Sequence, residues 1–265
     1  MKAAERAADS TTYFGDDFGQ KIDLTVRIRE ILRNYPEGTS IFKEMVQNAD
    51  DAGATEVNFC LDYRQHGSER LAYTKLQPFQ GPSLIVHNNA TFTDADFQSI
   101  QRIGDSLKKD NSKGWKTGRF GVGFNSVYHI TDLPAFVSGA HLVFFDPQGT
   151  LFRLALRTDS QAQSSKLSSR AQRPGHVAEM LREFSSDLSR VMLFLRNITK
   201  IAIYEWREDS DSPNLLDEAV ISNLTAEIQA KRSLKFASFG SDNSQSRFST
   251  EGMRAFRLSI FTDML

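Results

Sequence analysis

Among its 265 residues the sequence has a single cysteine, Cys60. An internal disulfide is therefore excluded, and the thiol usage fits a reducing compartment. Cys60 lies in an apolar run, so it reads as a packed thiol rather than a nucleophile. No stretch approaches the roughly 20 apolar residues that a membrane helix needs. Residues 1–17 are Ala-rich and charged, without the apolar centre of a signal peptide. Charge of either sign is not in excess: 32 Lys and Arg against 33 Asp and Glu leave a net charge of -1. Such a chain offers no global field to nucleic acid or to an acidic membrane. The histidines, His66, His87, His129, His141 and His176, show no metal-ligand spacing. There is no internal repeat. Together these absences predict a cytoplasmic protein with neither a nucleic-acid partner nor a membrane-inserted segment.

What is present is ordinary for a soluble chain, with 40% hydrophobic and 25% charged residues. Its 20 phenylalanines predict an aromatic-rich core. The length suffices for one large domain, or for one domain with an extension. Residues 1–20 read as a flexible arm, 21–160 as the core, and 161–265 as an extension that continues the same domain. Apolar residues at Ile22, Val26, Ile28, Ile31 and Leu32 predict a first helix. A second, capped by Thr39 or Ser40, runs to about Ala52 and is stopped by Gly53. Val57, Phe59 and Leu61 alternate as a half-buried strand does. Residues 64–82 read as a loop or irregular hairpin, and residues 83–87 as a short strand. Thr93 with Asp96 opens a helix continued by Phe97, Ile100 and Ile103. Strands follow at residues 142–145 and 151–157, a surface loop at 160–174, a helix at 176–195 and a strand at 201–206. Helices and strands intermix, which predicts an α+β sandwich with helices on one face of a mixed sheet.

Two constellations carry chemistry. In the second helix, Ile41, Met45, Ala49 and Ala52 form an apolar stripe. Glu44, Gln47, Asn48 and Asp51 form a polar stripe at i, i+3, i+4 and i+7, so all four point the same way. A carboxylate there can polarise a water, while an amide oxygen one turn later can ligate magnesium, which takes few protein oxygens when phosphates supply the rest. The plainer alternative is the wet side of an amphipathic helix. Further on, Gly118-Arg119-Phe120-Gly121-Val122-Gly123 spaces three glycines directly before a helix at residues 125–130. Glycines let backbone amides approach an anion, and the helix start adds positive potential. No Lys-Ser/Thr follows, so the loop is not a Walker A, and its spacing is not that of a Rossmann fold. Here the plainer alternative is a tight turn with packed glycines.

The two constellations in this order resemble the GHKL ATPases, and among them the sacsin-type Hsp90-like repeat domain. The residues carrying the resemblance are the run from Phe42 to Ala54 and the run from Gly118 to Tyr128. It implies the two-layer α/β sandwich called the Bergerat fold, with ATP and Mg2+ as cofactors. By resemblance Glu44 orients the attacking water, Asn48 ligates magnesium, and Asp51 and Ala52 line the nucleotide pocket. Gly118, Gly121, Val122, Gly123 and Phe124 hold phosphates, Lys108 partners them, and Thr150 faces the adenine side. The family's Asp-x-Gly-x-Gly motif is replaced by the run from His87 to Phe92, where either Asn88 or Asn89 takes the aspartate's place without its charge. The short run from Asp146 to Thr150 implies that part of a lid is absent. The implied partners are ATP, client proteins and the Hsp70 chaperone system. The implied role is an ATP-binding regulatory domain of a large chaperone-like protein in protein quality control, with weak Mg-dependent hydrolysis through Glu44. The alternative is a degenerate pseudo-ATPase of the same fold, serving as a scaffold or a client and co-chaperone interaction module.

Overall fold

The computed structural model describes residues 23–69, 71, 73–91, 93, 123–138, 149–222 and 259–261. The flexible arm, the helix from Thr93, the strand at residues 142–145, Lys108, Gly118, Gly121 and Val122 lie outside them.

Helix α1 (Leu24–Asn34) starts where the Asp23 carboxylate accepts the Thr25 amide at 2.8 Å, and it buries Ile28, Ile31 and Leu32. Helix α2 (Ser40–Asp51) ends as foreseen. Gly53 adopts φ 83° and the Ala54 amide reaches back to the Ala49 carbonyl at 2.9 Å. Its start differs from expectation. Neither Thr39 nor Ser40 caps the helix with its side chain, and the Ser40 hydroxyl donates instead to the Pro36 carbonyl. Ala52 is exposed rather than part of the apolar stripe, because the helix has ended and the chain is turning away.

A seven-stranded sheet has the order β3-β4-β2-β1-β5-β6-β7. Its strands are β1 (Glu56–Asp62), β2 (Ser83–Asn88), β3 (Pro134–Ser138), β4 (Thr150–Ala155), β5 (Lys200–Trp206), β6 (Asn214–Val220) and β7 (Ser259–Phe261). Among the described strands only the central β1–β5 pair is parallel. The segment read as a surface loop at residues 160–174 contains a helix, α3 (Asp159–Ser164), opened by a reciprocal Thr158–Gln161 capping box. The next helix, α4 (Pro174–Met192), buries Val177, Met180, Leu181, Phe184, Leu188 and Met192.

The alternation in β1 turns Val57, Phe59 and Leu61 toward the helices, and in β5 the paired Ile201 and Ile203 join them. Phe42 from α2, Phe59 from β1 and Phe184 from α4 meet with ring centroids 5.4–5.5 Å apart. Edge-on and tilted rings of this kind add to the area they bury. The result is an α+β arrangement in which α2 and α4 share one apolar layer with a mixed sheet.

Two buried charges fasten this layer. The Asp50 carboxylate accepts the backbone amides of Arg196, Asn197 and Ile198 at 2.7–3.1 Å, tying the end of α2 to the turn that enters β5. Arg157, 1% exposed, donates to Asp132 and to the carbonyls of Tyr128, His129 and Arg170. Each donor finds an acceptor, which is what permits a guanidinium to be buried.

Candidate functional site

In α2 the side chains of Ile41, Phe42, Met45, Val46, Ala49 and Asp50 turn inward. Glu44, Gln47, Asn48 and Asp51 are all half-buried along the other side, as the i, i+3, i+4, i+7 spacing requires. Against this stripe lies the 3-10 helix Gly123–His129, a little over two turns long, which buries Asn125, Ser126 and Val127. It starts at the last glycine of the loop, with no α-helix after it.

The contact between the two constellations is direct. A Cβ placed on Gly123 would overlap the Glu44 carboxylate, lying 2.6 Å from its Cδ. The absence of a side chain at Gly123 lets the carboxylate approach the backbone closely. Beside it Phe124 packs on Phe152 of β4, with centroids 5.5 Å apart. Ser126 is fully buried, and its Oγ has no hydrogen-bond partner among the described residues.

The end of β2 carries the remaining candidate residues. Asn88 pairs with Thr150 across the β2–β4 ladder, and the Thr150 hydroxyl donates to the Ala90 carbonyl at 2.8 Å. A Cβ on Gly149 would sit 2.8 Å from His87 Nε2 and against the Asn88 carbonyl, so the backbone at residue 149 lies tightly on β2. Asn88 is buried and its Oδ1 accepts the Ala90 amide at 3.0 Å. Asn89 is committed elsewhere. Its Oδ1 accepts from the Thr55 and Glu56 amides at 2.8 and 3.2 Å, and its Nδ2 donates to Thr55 Oγ1 at 2.7 Å. Both lone pairs of that oxygen are thereby used. Of the two asparagines, Asn88 is the one with hydrogen-bonding capacity to spare.

Asp51 is drawn the other way, accepting from the Arg196 guanidinium at 2.7 Å. Ala52 is exposed at the helix end. The structure thus brings Glu44 and Gly123 into contact, and Phe124, Asn88 and Thr150 onto adjoining strands and turns. It holds Asp51 and Asn89 in structural pairings. Among the described residues no group of three or more His, Cys, Asp and Glu could hold a metal ion. The bare backbone at Gly123 faces a carboxylate, and the amide of Asn48 lies one turn further along the same stripe.

Asp50 escaped the sequence reading. It is buried beneath the stripe, and nothing in the local pattern separates it from its neighbour Asp51.

A family model described as the Sacsin domain matches residues 21–149 and 148–218. Sacsin from Homo sapiens is 36% identical over 81% of this chain and 6% of its own length. Protein NO VEIN from Arabidopsis thaliana is 29% identical over 52% of this chain and 5% of its own length. The chain therefore spans a small fraction of the curated relatives it matches. A solved structure, the N-terminal domain of a DNA repair protein, superposes with a TM-score of 0.43 at 13% identity, covering 82% of this chain and 63% of its own. That likeness is too loose to carry a functional argument.

Proposed function

We propose, from the premise that this chain belongs to the Sacsin domain family, that it is an Hsp90-like ATP-binding regulatory domain with the Bergerat fold. The observation that carries the reading is the contact of Gly123 with the Glu44 carboxylate, which joins the two motifs in one place. When bound, ATP supplies a phosphoanhydride, and its Mg2+ neutralises the charge that develops on the phosphates.

The chain's own residues have separable tasks. The Asn48 amide oxygen is a hard neutral ligand of the kind magnesium accepts beside phosphate oxygens. Gly118, Gly121, Val122, Gly123 and Phe124 are the proposed phosphate contacts, through their backbone amides. Lys108 is the proposed cationic partner from the intervening segment. Glu44 orients and polarises a water as a general base. Asn88 faces the base side with Thr150 behind it, and being neutral it makes a weaker bond there than an aspartate would. Affinity for adenine is accordingly modest and hydrolysis weak. Such a domain acts by stabilising one arrangement of a larger protein over another, toward client proteins and the Hsp70 system.

A second reading, a pseudo-ATPase kept as a scaffold or interaction module, is favoured by one specific observation. Asn89 and Asp51 are both spent on structural partners rather than turned to a ligand. A phosphate-release assay on the protein and its Glu44→Ala variant tests the choice. Slow Mg-dependent release that vanishes in the variant while nucleotide binding persists supports the ATPase. Release equal in both, or absent from both, leaves the scaffold.

A further inference from the structure

A second cleft, of about 440 Å3, opens between α1 and the segment that follows α3. Its rim carries Arg29 and Arg33 from α1 and Lys166 from the facing segment, and Leu32 and Leu167 also line it. His129 lines it as well. Arg29 and Arg33 are i and i+4 on one helix, so their side chains share a face and can converge on one ligand. No acidic residue lines the cleft, and none of the three cations is paired to a carboxylate among the described residues. Two carboxylates lie near the cleft and both are engaged: Asp132 accepts from Ser165 and Arg157, and Asp23 accepts the amide and hydroxyl of Thr25. The Thr25 bonds, with weaker help from Lys166 and Arg29, hold the Asp23 carboxyl below the usual range.

The walls are fixed without a ligand. Ser165 Oγ donates to Asp132 and accepts the amides of Leu167 and Ser168, so the facing segment is a closed turn. Beneath it, buried Arg157 joins Asp132 to the carbonyls of Tyr128, His129 and Arg170. Lys166 is thus displayed from a braced turn and the two arginines from a helix, so the backbones that carry the cations are already placed.

We propose that this cleft binds the phosphoryl group of a small organic phosphate. Two guanidinium forks and an ammonium match the oxygens and charge of a phosphate dianion, whereas one carboxylate would satisfy a single fork. The cleft is of the size of a small-molecule site and exceeds what phosphate alone fills. The remainder of the ligand rests on Leu32 and Leu167. This site is distinct from the Glu44–Gly123 contact: it meets the His129 end of the 3-10 helix, and Gly123 is the other end. The proposal does not depend on ATP binding.

Titration calorimetry with inorganic phosphate, pyrophosphate and phenyl phosphate at fixed ionic strength tests it. All three probes are expected to bind, phenyl phosphate more tightly than inorganic phosphate because its ring covers the leucines. The Arg29→Ala/Arg33→Ala pair, both exposed and outside the core, weakens binding by at least about tenfold. The equally charge-depleting Arg173→Ala/Arg190→Ala pair leaves it unchanged. No heat with any probe would overturn the proposal. So would equal losses in the two arginine pairs, which would mean general charge attraction, or full binding kept by the Arg29→Ala/Arg33→Ala pair, which would place the probes elsewhere.

Discussion

The Glu44 carboxylate occupies the space that any side chain at residue 123 would need. A helix side chain and a loop backbone far apart in sequence have thus been fitted to each other, and neither position tolerates bulk while the other keeps its residue.

Gly123→Ala forces that carboxylate aside. Because that carboxylate is the free end of a flexible, half-buried side chain, the substitution is expected to cost at most about 1 kcal/mol and to lower nucleotide affinity. Glu44→Ala in the same chain restores most of the stability. A thermodynamic cycle over the four proteins measures the coupling, and additive effects would mean that the two residues do not touch.

Asp50 accepts three successive amides of the turn entering β5. Asp50→Ala leaves those donors buried without partners, at an expected cost of about 3 kcal/mol. Denaturant unfolding checks it. A change within about 0.5 kcal/mol, as for an ordinary surface position, would contradict the assigned role.

Arg157→Leu keeps apolar bulk but abandons Asp132 and three backbone carbonyls. A loss of about 3–5 kcal/mol is expected, as for a broken buried ion pair. Arg157→Lys recovers only part, because an ammonium cannot reproduce the planar fork. Thermal unfolding of both variants distinguishes a geometric requirement from a need for charge alone.

These two anchors show where sequence reading stops. The wet stripe of α2 was legible because helical period alone puts Glu44, Gln47, Asn48 and Asp51 on one side. The strand β1 was legible from the alternation of Val57, Phe59 and Leu61. Asp50 and Arg157 were not, since a charge reads as exposed until distant acceptors and donors are placed around it. Helix α3 hid in a polar stretch rich in Ser and Gln, although the Thr158–Gln161 capping box marked its start. Strand β3 opens on Pro134, a residue that argues against a strand unless the strand lies at a sheet edge, as β3 does. At the site, only the family resemblance put Glu44 and Gly123 in one place, and their direct contact appears in the structure alone. The diversion of Asn89 to Thr55 and of Asp51 to Arg196 depends on tertiary partners that no local pattern announces.

Burial alone would raise the Asp62 carboxyl, but hydrogen bonds from Arg64 and His66 outweigh it and hold it below its ordinary value. A carboxyl depressed in the folded state adds stability above its unfolded pKa of about 4, and that stability is lost as pH falls through the folded value. The stability gap between the protein and Asp62→Asn is therefore full near neutrality and shrinks under acid. A gap constant across that range would contradict the pairing.

Burial, with Asp62 adding to it, pushes the Cys60 thiol up to about 12. Its thiolate is scarce at neutral pH, so alkylation of the folded protein by iodoacetamide is expected to be much slower than that of the unfolded chain. Equal rates, followed by mass spectrometry, would show an accessible, reactive thiol instead.

The most direct test of the nucleotide reading is calorimetric titration with ATP and magnesium, beside the Asn48→Ala variant. The account predicts Mg-dependent binding that disappears in the variant. No heat at millimolar ATP, or binding that the variant retains in full, would contradict it.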